Sequence, residues 1–180
     1  NEIRKKNPTA KMIWQIFLFG NKEWILNEIK RAENYGSEAI ALCLDAPIRS
    51  HRFKDRESRY DARKYGKMRR LSQNPSYALR YDWSIIKWIK SKTKKPIILK
   101  GIINLHDANK AKKYNINTLW ISNYGGRMFN SGISSGEALK NIRRKIGKKI
   151  TIIVDGGVTK GTDVIKYLCL GANFVGIGKP

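Results

Sequence analysis

The sequence contains very little cysteine, with two residues in a chain of 180. This count excludes a disulfide-stapled scaffold and leaves no spacing typical of a zinc site, so we predict no metal site. Cys43 lies in an apolar stretch that predicts a strand, and Cys169 lies in one that predicts a helix. Both are expected to be buried and to behave as small hydrophobic residues.

Long hydrophobic runs are also missing. The longest, around residues 12–19, is far shorter than the ~20 apolar residues that a membrane-spanning helix needs. No signal-peptide pattern is visible in the sequence. We therefore expect a cytoplasmic location and no membrane association.

Acidic residues are scarce: 14 Asp and Glu stand against 37 Lys and Arg, a formal net charge of +23. Such a charge is typical of nucleic-acid-binding proteins. Lysine is, however, spread over nearly every predicted helix, and no RNA-binding aromatic motif or GXXG clamp is present. We interpret most of the charge as lysine on solvated helix faces, so a nucleic-acid partner is not expected despite it.

The densest basic run, Arg49 to Arg70, is the exception. It falls within residues 48–81, where no hydrophobic period holds. A loop of this length is usually functional or disordered. We interpret it as a basic loop insertion in one domain that spans residues 1–180, and Arg52 is its best-placed cation near a strand end.

No G-x-G-x-x-G motif follows the first predicted strand, which leaves a Rossmann sheet without support. The chain instead alternates apolar strands with helices, a pattern that predicts a parallel sheet with right-handed crossovers. Six strands are predicted, at residues 11–19, 39–45, 96–101, 118–122, 150–154 and 173–177.

Nearly every predicted strand ends in a polar side chain or a glycine turn, which favours a (β/α)8 TIM barrel, where many strand ends share one site. A whole barrel has eight strands in about 250 residues. Six strands therefore predict an incomplete barrel of α/β class that lacks two βα units. Its open edge strands are expected to be prone to association.

Three polar residues in the predicted strands need an explanation. A lysine after apolar strand residues is costly to bury unpaired, so Lys100 is interpreted as functional. Gln15 is expected to be buried, with its amide paired either with backbone or with a ligand. Asp45 ends its strand, and we interpret it as a loop cap rather than a ligand group.

The predicted helices begin at capping residues and carry apolar residues at helical spacing. A capping box marks one of them, Ser134-Ser-Gly-Glu137. The other predicted N-terminal caps are Asn21, Asp82 and Asn104. The last helix is predicted to turn three apolar side chains inward, those of Val164, Ile165 and Leu168.

Several motifs occur in the order of a known family. They are W-Q-I-F at 14–17, R-A-E at 31–33, A-L-C-L-D-A-P at 41–47, I-L-K-G-I at 98–102, S-N-Y-G-G-R at 122–127, D-G-G-V at 155–158, G-T-D at 161–163, L-G-A at 170–172 and I-G-K-P at 177–180. From Trp14 onward the chain resembles the FMN-dependent 2-hydroxy acid dehydrogenases and oxidases, the group that contains glycolate oxidase and the flavin lactate oxidases. The S-N-x-G-G-R and D-G-G-V pieces together are highly specific. The resemblance implies FMN as cofactor and barrel strands three to eight.

The resemblance also implies roles for individual residues. The flavin ring would contact Gln15, Cys43, Lys100 and Ser122. The ribityl chain and phosphate would lie against Asp155, Gly156, Gly157, Gly178 and Lys179. Arg52 and Arg127 would clamp a substrate carboxylate, for which a planar guanidinium is suited. Lys100 would stabilise the anionic reduced flavin.

The chain departs from the family pattern at positions that handle protons. The family's general base is the histidine of S-N-H-G-G-R, and here that position is Tyr124. A family tyrosine that contacts substrate is replaced by Phe17. A histidine titrates near neutral pH, whereas the phenol of a tyrosine ordinarily keeps its proton there. Cys43 stands where the family usually has a threonine, and Lys179 stands where the family has the arginine of the terminal motif. Thr159 stands where the family has an arginine directly after D-G-G-V.

These residues lead to one main function and several alternatives. The main interpretation is an FMN-dependent oxidoreductase that oxidises a small anionic 2-hydroxy acid to the 2-oxo acid. Its catalytic residues would be Tyr124 and Lys100, and its activity is expected to be weakened. Its full-length form is expected to be a homo-oligomer. The alternatives are a catalytically degenerate flavin-binding relative, a basic-loop module for nucleic acid or an acidic partner, and another phosphate-binding barrel. That last family would not need Gln15, Lys100 and Arg127 together.

Overall fold

The structure is a computed structural model that describes residues 2–18, 21–45, 57–58, 81–127 and 132–178. Within these ranges it has six strands: β1 (Ile13–Phe17), β2 (Ala39–Cys43), β3 (Ile97–Lys100), β4 (Thr118–Ile121), β5 (Thr151–Asp155) and β6 (Phe174–Gly176). The helices in the same ranges are α1 (Glu2–Lys6), α2 (Lys22–Asn34), α3 (Ser84–Lys90), α4 (Leu105–Lys113), α5 (Ser135–Ile146) and α6 (Gly161–Cys169). A 3-10 helix spans Tyr124–Gly126.

The strands form one parallel sheet in which each strand pairs with the next along the chain, from β1 to β6. Phe17 pairs in register with Cys43, Cys43 with Lys100, and Lys100 with Trp120. Since residues in register share a face of a sheet, these four side chains lie in one row near the carboxyl ends of β1 to β4. The sheet curls into part of a barrel, which confirms the predicted incomplete (β/α)8 TIM barrel.

Helices α2 to α5 pack on the outer face of the sheet and form the main core there. Each fully buried Ile or Leu side chain contributes roughly 1.5–3 kcal/mol to stability, so this layer supplies most of the hydrophobic stabilisation of the fold. Its fully buried members include Ile25, Ile29, Ile40, Leu42, Ile89, Leu99, Leu119, Ile121 and Ile142.

The inner face of the sheet carries a much smaller apolar cluster. It consists of Ala39, Ala41, Ile98 and Ile153, with Trp120 packed against them. These residues alternate along their strands with the residues of the outer core, as the period of two requires. The inner cluster lies below the polar strand ends and forms the base of the candidate site.

Three predicted helix caps are confirmed. The side chains of Asn21, Asn104 and Ser134 each accept a hydrogen bond from the backbone N–H three residues later. Asp82 is one residue early, because the N-cap position of α3 is Trp83. Asp82 Oδ1 still accepts a hydrogen bond from Ser84 N at 2.8 Å.

Four residues that were predicted to be buried are exposed, and all of them lie on elements at the edges of the sheet. Gln15 is exposed on β1. On α6, Ile165 is 60% exposed and Leu168 is 46% exposed, and Cys169 is also exposed. β1 and β6 are the two edge strands of the sheet, so within the described residues no further βα unit covers these faces. Helical period identified the apolar side of α6, but burial depends on a neighbouring element.

None of the described helices is both long enough and apolar enough to span a lipid bilayer.

Candidate active site

The centre of the candidate site is the ammonium group of Lys100, at the carboxyl end of β3. Lys100 Nζ lies 2.7 Å from Asp45 Oδ2 and 2.9 Å from Ser122 Oγ. A second carboxylate oxygen, Asp155 Oδ2, is 3.8 Å away. Groups that follow or end β2, β4 and β5 therefore meet on the lysine of β3. The burial predicted for Lys100 is confirmed, since the residue is 7% exposed.

Asp45 belongs to this site, and the prediction of a simple loop cap missed that. Its side chain is 5% exposed, and it pairs with the Lys100 side chain, which is 8% exposed. Burying a charged group is strongly unfavourable unless it is paired. The sequence held a usable signal, because a buried lysine at one strand end needs an anion, and Asp45 follows the adjacent strand.

Cys43 extends the network on the other side of Asp45. Its thiol donates a hydrogen bond to Asp45 Oδ1 at 2.7 Å. Burial, reinforced by the negative charge of Asp45, raises the pKa of the Cys43 thiol well above its ordinary value. Cys43 is therefore a neutral donor, and its predicted burial is confirmed. The three side chains of Cys43, Asp45 and Lys100 form a continuous buried chain of polar contacts.

The turn after β4 places the Tyr124 ring beside Lys100, and Arg127 beside that ring. Asn123 Oδ1 accepts a hydrogen bond from Gly126 N at 3.2 Å, and Ser122 Oγ accepts one from Tyr124 N at 3.3 Å. Tyr124 has a φ of 57°, a left-handed conformation that is uncommon for residues other than glycine. The centre of its ring lies 5.9 Å from Lys100 Nζ and 5.3 Å from Arg127 Cζ.

A second glycine turn follows β5. Gly156 has a φ of 102°, and a Cβ there would lie 3.1 Å from Ser135 Oγ. The Tyr167 hydroxyl on α6 donates a hydrogen bond to the Gly156 carbonyl at 2.7 Å and anchors the turn. Burial raises the pKa of the Tyr167 phenol, and the charge of Asp155 acts in the same direction. Tyr167 is therefore a stable donor at neutral pH.

Trp120 is a site residue that the sequence analysis missed. It lies on the inner face of β4, two residues before Ser122, and its ring centre is 5.6 Å from Lys100 Nζ. Its indole Nε1 is buried and has no hydrogen-bond partner within the described part of the chain. The period of two along β4 was the available signal, because it places Trp120 and Ser122 on the same face.

The remaining predicted site residues are half-buried, exposed or outside the residues that the structure describes. Phe17 ends β1 in register with Cys43 and is half-buried. Gln15 is on the same strand but exposed, and Gly178 is exposed after β6. Arg52 and Lys179 lie outside the residues that the structure describes, as does nearly all of the 48–81 loop. Over the described ranges, no group of three His, Cys, Asp or Glu side chains is arranged to hold a metal ion.

The model of one protein family, the FMN-dependent dehydrogenases, matches residues 1–180. Among curated relatives, human 2-hydroxyacid oxidase 1 is 30% identical over 99% of this chain and 54% of its own length. The 2-hydroxyacid oxidase of Dictyostelium discoideum is 34% identical over 93% of the chain and 47% of its own length. The L-lactate dehydrogenase (cytochrome) of Saccharomyces cerevisiae is 33% identical over 99% of the chain and 34% of its own length.

Solved structures give the same result. A crystal structure of mandelate oxidase with (S)-2-phenylpropionate matches with a TM-score of 0.82 and 27% identity, over 94% of this chain and 49% of that one. The chain thus spans about half the length of mandelate oxidase and of the two 2-hydroxyacid oxidases, and about a third of the length of the yeast lactate dehydrogenase. The match confirms the resemblance derived from the motifs at 122–127 and 155–158.

Proposed function

Since the chain belongs to the family of FMN-dependent dehydrogenases, we propose that it binds FMN at the carboxyl ends of its strands. We propose further that the protein oxidises a small 2-hydroxy acid to the 2-oxo acid. The observation that carries the proposal is the position of Lys100, whose ammonium is buried on the inner face of the barrel and is contacted by groups from three other strand ends.

The residues at this end of the barrel fit the chemistry of FMN. Among the atoms of the described residues, none would lie within 4 Å of a Cβ at Gly157 or Gly178, so both positions leave open space for a ligand to approach the backbone. Lys100 offers a cation at the same edge of the sheet, 3.8 Å from Asp155, and Trp120 Nε1 is a buried donor with no partner among the described residues. When bound, FMN supplies the acceptor for the two electrons that leave the substrate.

The substrate class follows from Arg127. A guanidinium has a planar fork of donors that matches the two oxygens of a carboxylate. Arg127 is half-buried at the end of the turn that begins at Ser122, and it contacts the ring of Tyr124. A carboxylate bound to Arg127 would place the neighbouring carbon of a small 2-hydroxy acid close to Tyr124 and Lys100. Arg52 is proposed as the second arm of this clamp.

Removal of the proton from the substrate hydroxyl is the step of the reaction for which this site is least suited. Tyr124 occupies the position of the family's histidine, and a phenol is a poor general base at neutral pH. We therefore propose that turnover is slow. The same observation favours a second candidate, a flavin-binding relative that does not turn substrate over. The two candidates share the cofactor and differ in whether substrate reduces it.

Two measurements test the proposals. Binding of FMN is followed by the change in flavin absorbance and fluorescence during titration of the protein. Glycolate, lactate or mandelate is then added without oxygen, and bleaching of the flavin band reports oxidation of the substrate. Bleaching supports the oxidoreductase, and bound flavin without bleaching supports the non-catalytic relative. A protein that binds no FMN contradicts both.

A further inference from the structure

We infer that Asp45 is a positioning residue for Lys100: its carboxylate fixes the ammonium group at the end of β3 and balances its charge. Asp45 thereby sets how strongly the site favours the reduced, more negative form of the cofactor. The second part of this inference rests on the proposed function, because it requires FMN to bind beside Lys100.

The position of Asp45 is built into the sheet. A Cβ on Gly101 would lie 2.4 Å from Asp45 Cβ, and the φ of Gly101 is 99°. Leu44 N donates a hydrogen bond to the Lys100 carbonyl at 2.8 Å, and Gly101 N donates one to the Trp120 carbonyl at 2.9 Å. The absence of a side chain at Gly101 lets Asp45 pack against the end of β3. The backbone bonds on both sides hold the two charged residues in register.

Both carboxylate oxygens of Asp45 already accept hydrogen bonds. Oδ2 contacts Lys100 Nζ at 2.7 Å, and Oδ1 accepts the Cys43 thiol at 2.7 Å. Burial keeps that thiol protonated by raising its pKa. Both oxygens of the carboxylate are thus occupied by donors from within the protein. Asp45 is therefore suited to hold Lys100 in place and not to accept a proton from substrate.

The charges around Lys100 decide its effect on a bound cofactor. One ammonium faces two carboxylates, Asp45 at 2.7 Å and Asp155 at 3.8 Å. Interactions between charges in a buried site are screened much less than at the surface. The nearer carboxylate, Asp45, therefore cancels much of the positive potential of Lys100. Removal of its charge is expected to strengthen binding of reduced FMN relative to oxidised FMN.

The first test needs no cofactor. Asp45→Asn, Lys100→Met and the double variant are compared by urea unfolding in a double-mutant cycle. Each single variant leaves one buried charge without its partner, so the double variant is expected to be more stable than additivity predicts. The expected discrepancy is about tenfold or more in the unfolding equilibrium constant. Additive effects would overturn the inference.

A comparison pair is Glu28 and Arg31 on α2, where Arg31 Nη1 lies 2.6 Å from Glu28 Oε1 and the Arg31 side chain is 55% exposed. Glu28→Gln, Arg31→Met and their double variant are expected to deviate from additivity by about twofold at most, because solvent around the exposed Arg31 side chain screens the pair. If this pair couples as strongly as Asp45 and Lys100, burial is not the cause and the inference fails.

The second test measures dissociation constants of oxidised and reduced FMN for the wild-type protein and for Asp45→Asn. The ratio of oxidised to reduced constants is expected to rise about tenfold, equivalent to about 30 mV for a two-electron couple. Glu33→Gln, an exposed acid in the last turn of α2, is expected to leave the ratio unchanged. An unchanged ratio in an Asp45→Asn protein that binds FMN overturns the inference. Failure of the wild-type protein to bind FMN instead overturns the proposed function, and the unfolding cycle still decides whether Asp45 holds Lys100.

Discussion

The guanidinium carbon of Arg127 lies 5.3 Å from the centre of the Tyr124 ring, three residues earlier on the same glycine-bent turn. The proposed carboxylate clamp is thus adjacent to Tyr124, which is proposed to stand in the family's base position. Substrate binding and proton transfer are therefore expected to be separable by mutation, because each is assigned to a different side chain.

Replacement of Tyr124 by His together with Phe17→Tyr is expected to increase the rate of anaerobic flavin reduction by 2-hydroxy acids. A positioned general base contributes roughly 10²–10⁴-fold to such a step. The backbone at Tyr124 has a φ of 57°, and histidine is among the residues that tolerate this region. Stopped-flow absorbance measures the rate.

The control for that experiment is Tyr124→Phe, which removes the hydroxyl and keeps the ring. We expect it to reduce flavin no more slowly than the parent protein if the phenol does not act as a base. A double variant that binds FMN but reduces it no faster than the parent would show that missing proton handling does not limit turnover.

Substitution of Arg127 by Met is expected to weaken substrate binding by roughly 10- to 150-fold, the range for loss of a hydrogen bond to a charged group. Arg127→Lys is expected to recover only part of this loss, since a lysine has no planar fork. The substrate dependence of flavin reduction measures the change. Arg144→Met, on the exposed side of α5, is the matched control and is expected to bind substrate as the parent does. Equal effects at the two arginines would contradict the clamp.

Gly101→Ala is expected to destabilise the protein by at least about 2 kcal/mol. The φ of 99° and the overlap with Asp45 each contribute. The change is read from the urea midpoint at constant slope. Gly161→Ala is the matched control, because a Cβ there meets no atom of the described residues within 4 Å and the residue starts α6. Its expected effect is neutral or slightly stabilising, so a similar loss at both positions would count against the packing argument.

The two cysteines are expected to differ in reactivity. Cys43 is buried with a raised pKa, and Cys169 is exposed. Since the thiolate is the nucleophile, iodoacetamide at pH 8 is expected to modify Cys169 in the folded protein and Cys43 only after unfolding. Mass spectrometry of the digested protein measures both. Comparable labelling rates would contradict the burial of Cys43.

The raised pKa of the Cys43 thiol predicts how the stability of the protein depends on pH. The folded protein holds the Cys43 proton more tightly than the unfolded chain, so the unfolded chain binds fewer protons above the ordinary thiol pKa of about 8.5. The contribution of Cys43 to stability is complete below that pH and is lost progressively above it. Urea midpoints measured from pH 7 to 10 are expected to fall more steeply in the parent protein than in Cys43→Ala. Parallel curves would contradict the prediction.

The sequence by itself determined the alternation of strands and helices, the polar strand ends and the burial of Lys100. These properties follow from the period of the hydrophobic pattern and from the cost of burying a charge. The motif at 122–127 was equally readable, because its glycines and Arg127 are consecutive in the chain.

The tertiary structure alone decided which groups surround Lys100 and which apolar faces are covered. Asp45 and Lys100 are 55 positions apart, and their pairing depends on the register between β2 and β3. Ile165 and Leu168 have the helical spacing of core residues but lie exposed on α6, next to edge strand β6. The physical reason is the same in both cases. A sequence pattern reports the faces of one element, whereas contacts and burial depend on the element that packs beside it.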